Sequence, residues 1–164
     1  MTARRLPQGG EIDRSRPLRF TFDGKVIDGF EGDTLASALL ASGQQVLGRS
    51  FKYRRPRGLF GAGVEEPNIY ADVTDGESFR PNQRVTTELA RGGLVARAAN
   101  ASPTAEADRT GFFDLFARFI PSAFYYKTFF WPNWHAYEPR IREMAGLGRV
   151  NTDQTEGALG QQIN

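Results

Sequence analysis

The residues best suited to chemistry in this chain of 164 residues lie together, between Gly48 and Pro67. Five cations (Arg49, Lys52, Arg54, Arg55 and Arg57) fall within nine positions, followed by Gly58, Gly61 and Gly63 and then by Glu65 and Glu66. Arginine forks match phosphate and carboxylate geometry, and glycine lets backbone come close to another group. The pattern is that of an extended basic arm running into a tight loop. Its target is a phosphate, a partner subunit or the protein's own backbone, and the stretch alone leaves all three open.

The complete motifs of known chemistry do not form. Gly61-Ala-Gly63-Val-Glu-Glu66 resembles the opening of a dinucleotide fingerprint, but Glu66 stands at the third glycine position and Pro67 follows. No clear apolar strand precedes it, so the phosphate cradle is not built and a structural glycine loop is the expectation. Glu65 and Glu66 are adjacent, so on an extended segment they point to opposite faces and do not make a cooperating pair. Arginine pairing or capping of the following turn suits them better. His135, the single histidine, has neither an orienting partner nor companion ligands nearby. Within Trp131-Pro-Asn-Trp-His135 it reads as part of a packed aromatic corner. Asn100-Ala-Ser102 fits a glycosylation acceptor, which matters only in a secreted chain. No catalytic residue and no metal ligand is assigned. For the basic run, arginines lying over aromatic surface and binding carboxylates are the favoured reading. The functional alternative is that Arg54, Arg55 or Arg57 reaches the phosphate of a cofactor held by a neighbouring domain.

Composition narrows the class. Hydrophobic content of 40% and charged content of 24% are ordinary for a globular protein. The absence of cysteine excludes disulfides, thiolate zinc sites, cysteine-held iron–sulfur clusters and cysteine nucleophiles within this chain. No run of 18 apolar residues exists, and no apolar segment follows the N-terminal arginines, so a cytoplasmic protein without membrane association is expected. The net charge of +2 divides unevenly: residues 1–60 hold eleven Lys/Arg against six Asp/Glu, and residues 61–164 hold ten against thirteen. That asymmetry favours an anionic neighbour for the first half. No nucleic-acid-binding module accompanies it, so no nucleic acid is expected.

The elements that must position this stretch follow from periodicity. Residues 1–16 read as an extended lead-in ordered by docking. Leu18, Phe20 and Phe22 alternate on one strand face, Asp23-Gly24 predicts a two-residue hairpin, and Lys25–Phe30 is the return strand with an ambiguous inward face. Asp33 or Thr34 caps a short helix with Leu35, Ala38 and Leu39 on one side, and Gly43 stops it. Further strands are predicted at Gln45–Leu47, Ile69–Val73 and within Pro81–Leu89 (Val85–Leu89). Hairpin, helix and further strands in this order give an α+β fold, a β-grasp over residues 17–98. Residues 99–109 read as a linker. Twelve of the twenty aromatics lie between Phe112 and Tyr137, with Phe112, Leu115, Phe116 and Phe119 on one helical face. Pro121 interrupts that helix, a second is predicted over Ser122–Phe130, and Pro139 suits the first turn of a last one ending near Ala145. Helices this short need a surface to lie on, so residues 110–149 are expected to form a helical docking arm. Residues 150–164 are expected to be disordered.

Several blocks occur together in one order: Arg5–Arg14, Gly32–Ala41, Gly48–Gly58, Phe60–Asn68, Phe124–Phe129 and Ala145–Arg149. In these the chain closely resembles the N-terminal region of the alpha subunit of heterotetrameric sarcosine oxidase, over roughly residues 4–149. The resemblance implies a two-iron, two-sulfur ferredoxin-type β-grasp without the cluster. Relatives that hold one carry cysteines in the loop after the Pro-Arg-Gly element, where this chain has Gly61–Glu66. It also implies membership of an oxidoreductase complex acting on CH–NH groups, which demethylates sarcosine to glycine with oxygen and tetrahydrofolate and yields hydrogen peroxide and methylenetetrahydrofolate. The complex would carry FAD, covalent FMN, NAD in the alpha subunit and zinc in the delta subunit. No cofactor is expected on this chain alone. The partners implied are the remaining alpha region and the beta, gamma and delta subunits. The resemblance places a dinucleotide-binding domain soon after Gly146-Leu-Gly-Arg149, whereas the sequence ends at Asn164. The NAD fingerprint, the flavin contacts and the folate-type domain are therefore expected outside it.

Two readings of function follow. The first is an N-terminal module or split subunit of a sarcosine oxidase-type flavoenzyme, structural in role and inactive alone. Its aromatic arm would clamp the partner, and Arg49–Arg57 would border a dinucleotide or flavin domain. The second is a non-enzymatic β-grasp module that binds an anionic ligand or a protein.

Overall fold

A computed structural model of the chain describes residues 4–112 and 133–145. Its elements are β1 (Asp13–Phe22), β2 (Lys25–Glu31), α1 (Leu35–Ala41), β3 (Gly48–Arg49), β4 (Pro56–Arg57), β5 (Tyr70–Asp75), β6 (Ser78–Arg84), β7 (Val95–Ala98) and α2 (Trp134–Ala145). Five strands form one mixed sheet in the order β2-β1-β7-β5-β6. β7 runs parallel to β1, and the other pairings are antiparallel. A hairpin, a helix packed beside it and a later strand brought parallel to the first is the β-grasp arrangement that the sequence predicts.

The hairpin sets the register. Asp23 and Gly24 both take positive φ, at 49° and 81°, which is what a two-residue turn needs to match the twist of its strands. Phe20 then faces Ile27, and both are buried with Phe22. The ambiguity in β2 resolves with Ile27 inside and Val26 outside. Thr34 is the helix cap, its Oγ1 accepting from the Ser37 N–H at 3.1 Å. α1 buries Leu35, Ala36, Ala38 and Leu39 against the sheet. Gly43, at φ 86°, stops the helix as predicted, donating its N–H to Leu40 O at 3.0 Å. Leu47, Ile69, Val73, Val85 and Leu94 complete the core.

Several expectations shift. β1 begins at Asp13 within the predicted lead-in, with a register break between Asp13 and Pro17, because Pro17 has no N–H to continue the ladder. Residues 45–47 form no strand; Leu47 N–H bonds Arg57 O at 2.9 Å, and the short ladder is β3 with β4. Val85–Leu89 is likewise not a strand. The chain turns there, with Thr87 and Glu88 N–H both on Arg84 O, so that it can return to the sheet centre as β7. That strand was unforeseen because its buried side chains are only Ala96 and Ala98, too small to produce an apolar alternation. α2 begins at Trp134, so Pro139 lies inside the helix beyond its first turn, since the Asn133 side chain accepts from Ala136 N–H at 3.1 Å and caps the helix earlier. The predicted helices across 113–132 and the disordered tail lie outside the described residues.

Candidate functional site

The basic stretch folds into the β3–β4 hairpin and the glycine loop behind it. At the hairpin tip, Ser50 accepts the Arg54 N–H at its carbonyl (3.0 Å) and the Arg55 N–H at its hydroxyl (2.9 Å). Arg54 sits in the left-handed region at φ 58°. That backbone turn sends its guanidinium inward, where Nε reaches Asp108 Oδ2 at 3.0 Å with both side chains buried. Arg49 staples the same hairpin to the segment after the sheet, donating to the carbonyls of Ala105 (2.6 Å) and Glu106 (2.7 Å). Asn100 adds a further tie, accepting the Arg49 N–H at 3.1 Å. Ala105 N–H meets Asp23 Oδ2 at 2.7 Å. Residues 99–109, expected as a linker, are thus bound to the domain by side chains that their small, polar composition did not reveal.

The three arginines proposed near a cofactor therefore differ. Arg54 is engaged by Asp108. Arg55 is exposed, with its guanidinium 4.9 Å from the centre of the Tyr53 ring. Arg57 is half-buried in β4, and its Nε finds no hydrogen-bond partner among the described residues.

The glycine loop has a different logic from a phosphate cradle. Glu66 is buried, and its carboxylate accepts N–H groups from Phe60 (2.6 Å), Gly61 (2.7 Å) and Asn68 (2.9 Å). Glu65 accepts those of Ala62 (2.9 Å) and Gly63 (3.0 Å). A Cβ on Gly61 or Gly63 would stand 2.8 or 2.7 Å from a Glu65 carboxylate oxygen, so these glycines make room for that carboxylate. The two glutamates close one loop through separate donors. The anion that the N–H groups face is supplied by the chain itself. Burial pushes the Glu66 carboxyl up, but the N–H groups of Gly61, Asn68 and Phe60 outweigh it and hold the group below the usual carboxylate range. At Glu65 the backbone N–H bonds act in the same direction.

A second buried carboxylate anchors the lead-in. Asp33, offered by the sequence as a helix cap, instead takes a bidentate Arg5 fork at 2.9 and 2.7 Å, the Ser37 hydroxyl at 2.6 Å and the Phe30 N–H at 2.9 Å. Burial opposes its ionisation, and these bonds still carry its pKa below the ordinary value. His135 is exposed, with Nδ1 at 3.9 Å from Glu138. Among the described residues no cluster of His, Cys, Asp or Glu is arranged to hold a metal, and no helix is long and apolar enough to cross a membrane.

The family described as a 2Fe-2S iron-sulfur cluster binding domain matches residues 15–101. Sarcosine oxidase subunit alpha of Rhizobium meliloti (strain 1021) is 49% identical over 154 residues, which cover 92% of this chain and 16% of the relative. The namesake subunit of Corynebacterium sp. (strain P-1) is 42% identical over 107 residues, covering 63% of this chain and 11% of that protein. The chain thus spans about a sixth of the length of the first of these relatives. Among solved structures, L-proline dehydrogenase from P.horikoshii aligns over 51% of this chain and 16% of its own, at 25% identity and a TM-score of 0.39. The residues present do not fit the cluster that gives the family its description: the sequence has no cysteine, and the N–H groups of the glycine loop already bond carboxylates. With the mixed sheet, the family match and the alpha-subunit relatives all on one stretch, the chain belongs to the 2Fe-2S iron-sulfur cluster binding domain family and is a homologue of sarcosine oxidase alpha subunits.

Proposed function

We propose that this chain is a cluster-free ferredoxin-like module of a sarcosine oxidase-type flavoenzyme complex, acting in assembly without an active site of its own. The observation that carries this reading is the 49% identity to a sarcosine oxidase alpha subunit across 92% of the chain. It is supported by a glycine loop closed by its own carboxylates, which leaves no cradle for a cluster or a nucleotide. The complex as a whole would demethylate sarcosine oxidatively in the cytoplasm, with oxygen and tetrahydrofolate as co-substrates. FAD, FMN, NAD and zinc would reside on the remaining alpha region and on the beta, gamma and delta subunits. The aromatic-rich arm after residue 110 would contribute to docking. Arg55 and Arg57 are the cations of this chain that we place nearest a dinucleotide or flavin of the complex, since Arg54 is tied to Asp108.

Co-expression with the remaining alpha region and the companion subunits tests the reading. Copurification, together with sarcosine-dependent oxygen uptake that is lost when this chain is omitted, is the expected result. A chain that stays monomeric beside those partners would refute it. A second reading, an anion-binding β-grasp module, rests on the Arg57 Nε that lacks a hydrogen-bond partner among the described residues. It predicts nucleotide binding that weakens steeply with salt, and Arg57→Ala would abolish it.

A further inference from the structure

The loop between Phe60 and Glu66 is held at four consecutive backbone N–H groups and two carbonyls while it presents two large apolar side chains to solvent. The N–H groups of Phe60, Gly61, Ala62 and Gly63 are bound by Glu66 and Glu65. Gly63 O accepts the Thr86 hydroxyl at 2.7 Å, and Val64 O accepts from Arg84 Nη1. On this fixed frame Phe60 is 73% exposed and Val64 is 70% exposed. Their neighbour Leu59 packs against the core, so the loop had an apolar position available and uses it one residue earlier. Isolated exposed apolar residues need no explanation. A Phe and a Val on one short loop whose backbone is held by these six polar contacts are a different case, because such a loop loses little freedom on binding.

We propose that loop 60–66 is a preformed docking knob, which inserts Phe60 and Val64 into an apolar pocket on the polypeptide that completes the longer alpha-subunit relatives. The proposal rests on the reading of the chain as a module of that complex. The occupant is chosen because the chain covers 16% of its R. meliloti relative, so most of that polypeptide lies outside the matched region. A surface in the matched region faces the rest of the same polypeptide at high effective concentration. The chemistry of the pocket follows from the knob. Its floor is apolar, for the ring and the isopropyl group. Its rim is cationic, because the Glu65 carboxylate on the same loop is exposed and its backbone N–H bonds favour the ionised form.

The test titrates this chain against the remaining alpha polypeptide, copurified with its companion subunits, and reads affinity by calorimetry and stability by thermal melting. The double variant Phe60→Ser/Val64→Ser should bind at least about a hundredfold more weakly with an unchanged melting midpoint, as expected for a central apolar anchor. Glu66→Gln, which loosens the loop while leaving both apolar side chains in place, should bind about tenfold more weakly. Wild-type affinity in the double variant would overturn the knob while leaving the assembly reading intact. Loss of self-association or of binding to a different subunit, with the alpha remainder still bound normally, would show the occupant to be wrong. If the wild-type chain binds none of these polypeptides, the assembly reading fails and the knob fails with it.

Discussion

Arg54 and Asp108 lie 54 positions apart, yet their side chains form a buried ion pair with Nε 3.0 Å from Oδ2. This pair joins the tip of the basic hairpin to the segment that follows the last strand. Asp108 also accepts the Ser102 N–H and the Thr110 hydroxyl, so its carboxylate organises both ends of that segment. Burial works against its charge, and the Arg54 and Thr110 bonds more than offset it, leaving the pKa below the ordinary aspartate value.

Removing one partner leaves the other charge buried and unpaired. Asp108→Asn should therefore destabilise the chain by about 3 kcal/mol, within the range for broken buried pairs. Arg54→Lys should also be costly, because a single ammonium does not reproduce the two-nitrogen fork on Asp108. Arg55→Ala is the control. Its guanidinium is exposed above Tyr53, so its loss should change stability by no more than about 0.5 kcal/mol. Urea melts of the three variants check the ordering.

The split between Arg54 and Arg55 also shows where sequence reading stops. The hairpin, the helix and its Gly43 stop were legible because Asp-Gly, a Thr cap and an i, i+3, i+4 spacing act locally. β7 was not legible, because Ala96 and Ala98 bury little area and its place is fixed by a parallel partner far earlier in the chain. The basic run was legible as arginine chemistry in general. Which arginine turns inward depends on one left-handed residue and on a carboxylate in a segment that composition marked as a linker. Glu66 was noticed as a capping candidate. That its carboxylate gathers three N–H groups of the glycine loop is a matter of loop closure, which spacing alone does not encode.

Glu66→Ala removes the acceptor of three N–H groups at once. Each buried donor left unsatisfied costs about 1–3 kcal/mol, so a loss of roughly 3 kcal/mol is expected after water enters the space. Glu66→Gln keeps one carbonyl oxygen and should lose about half as much. Because the loop is a ready anion cradle, formate or acetate should raise the melting temperature of Glu66→Ala and leave that of the wild type unchanged. Equal responses in both proteins would show that the cradle is not what the salt occupies.

Asp33, Glu66 and Asp108 are all held below the usual carboxylate range in the folded chain. A carboxylate whose folded pKa is depressed stabilises the fold above its unfolded value, and that contribution is lost as the pH falls toward the folded value. Stability should thus be level from neutrality down to about pH 5 and then fall steeply below about pH 4. Denaturant midpoints across pH 3–7 measure this. Asp33→Asn should flatten the acid limb while lowering the plateau, since Arg5 then lacks its charged partner.

Two glycine substitutions separate backbone strain from side-chain crowding. Gly32 sits at φ 90°, and a Cβ there would stand 2.8 Å from the Glu11 carbonyl oxygen. Both the conformation and the contact are with backbone, which has nowhere to move without disturbing the junction of lead-in and hairpin. Gly32→Ala should therefore cost about 2–3 kcal/mol. Gly61→Ala meets an equally short contact, 2.8 Å, but with the carboxylate end of Glu65, which swings aside at the loss of its two exposed hydrogen bonds from the Ala62 and Gly63 N–H groups. Its cost should stay below about 1 kcal/mol, because alanine also reduces the freedom of the unfolded chain. Thermal melts of both variants at neutral pH give the comparison. If Gly61→Ala proved as damaging as Gly32→Ala, the Glu65 contacts would be a structural clamp as firm as backbone, and the loop would tolerate no side chain at either of its inner glycines.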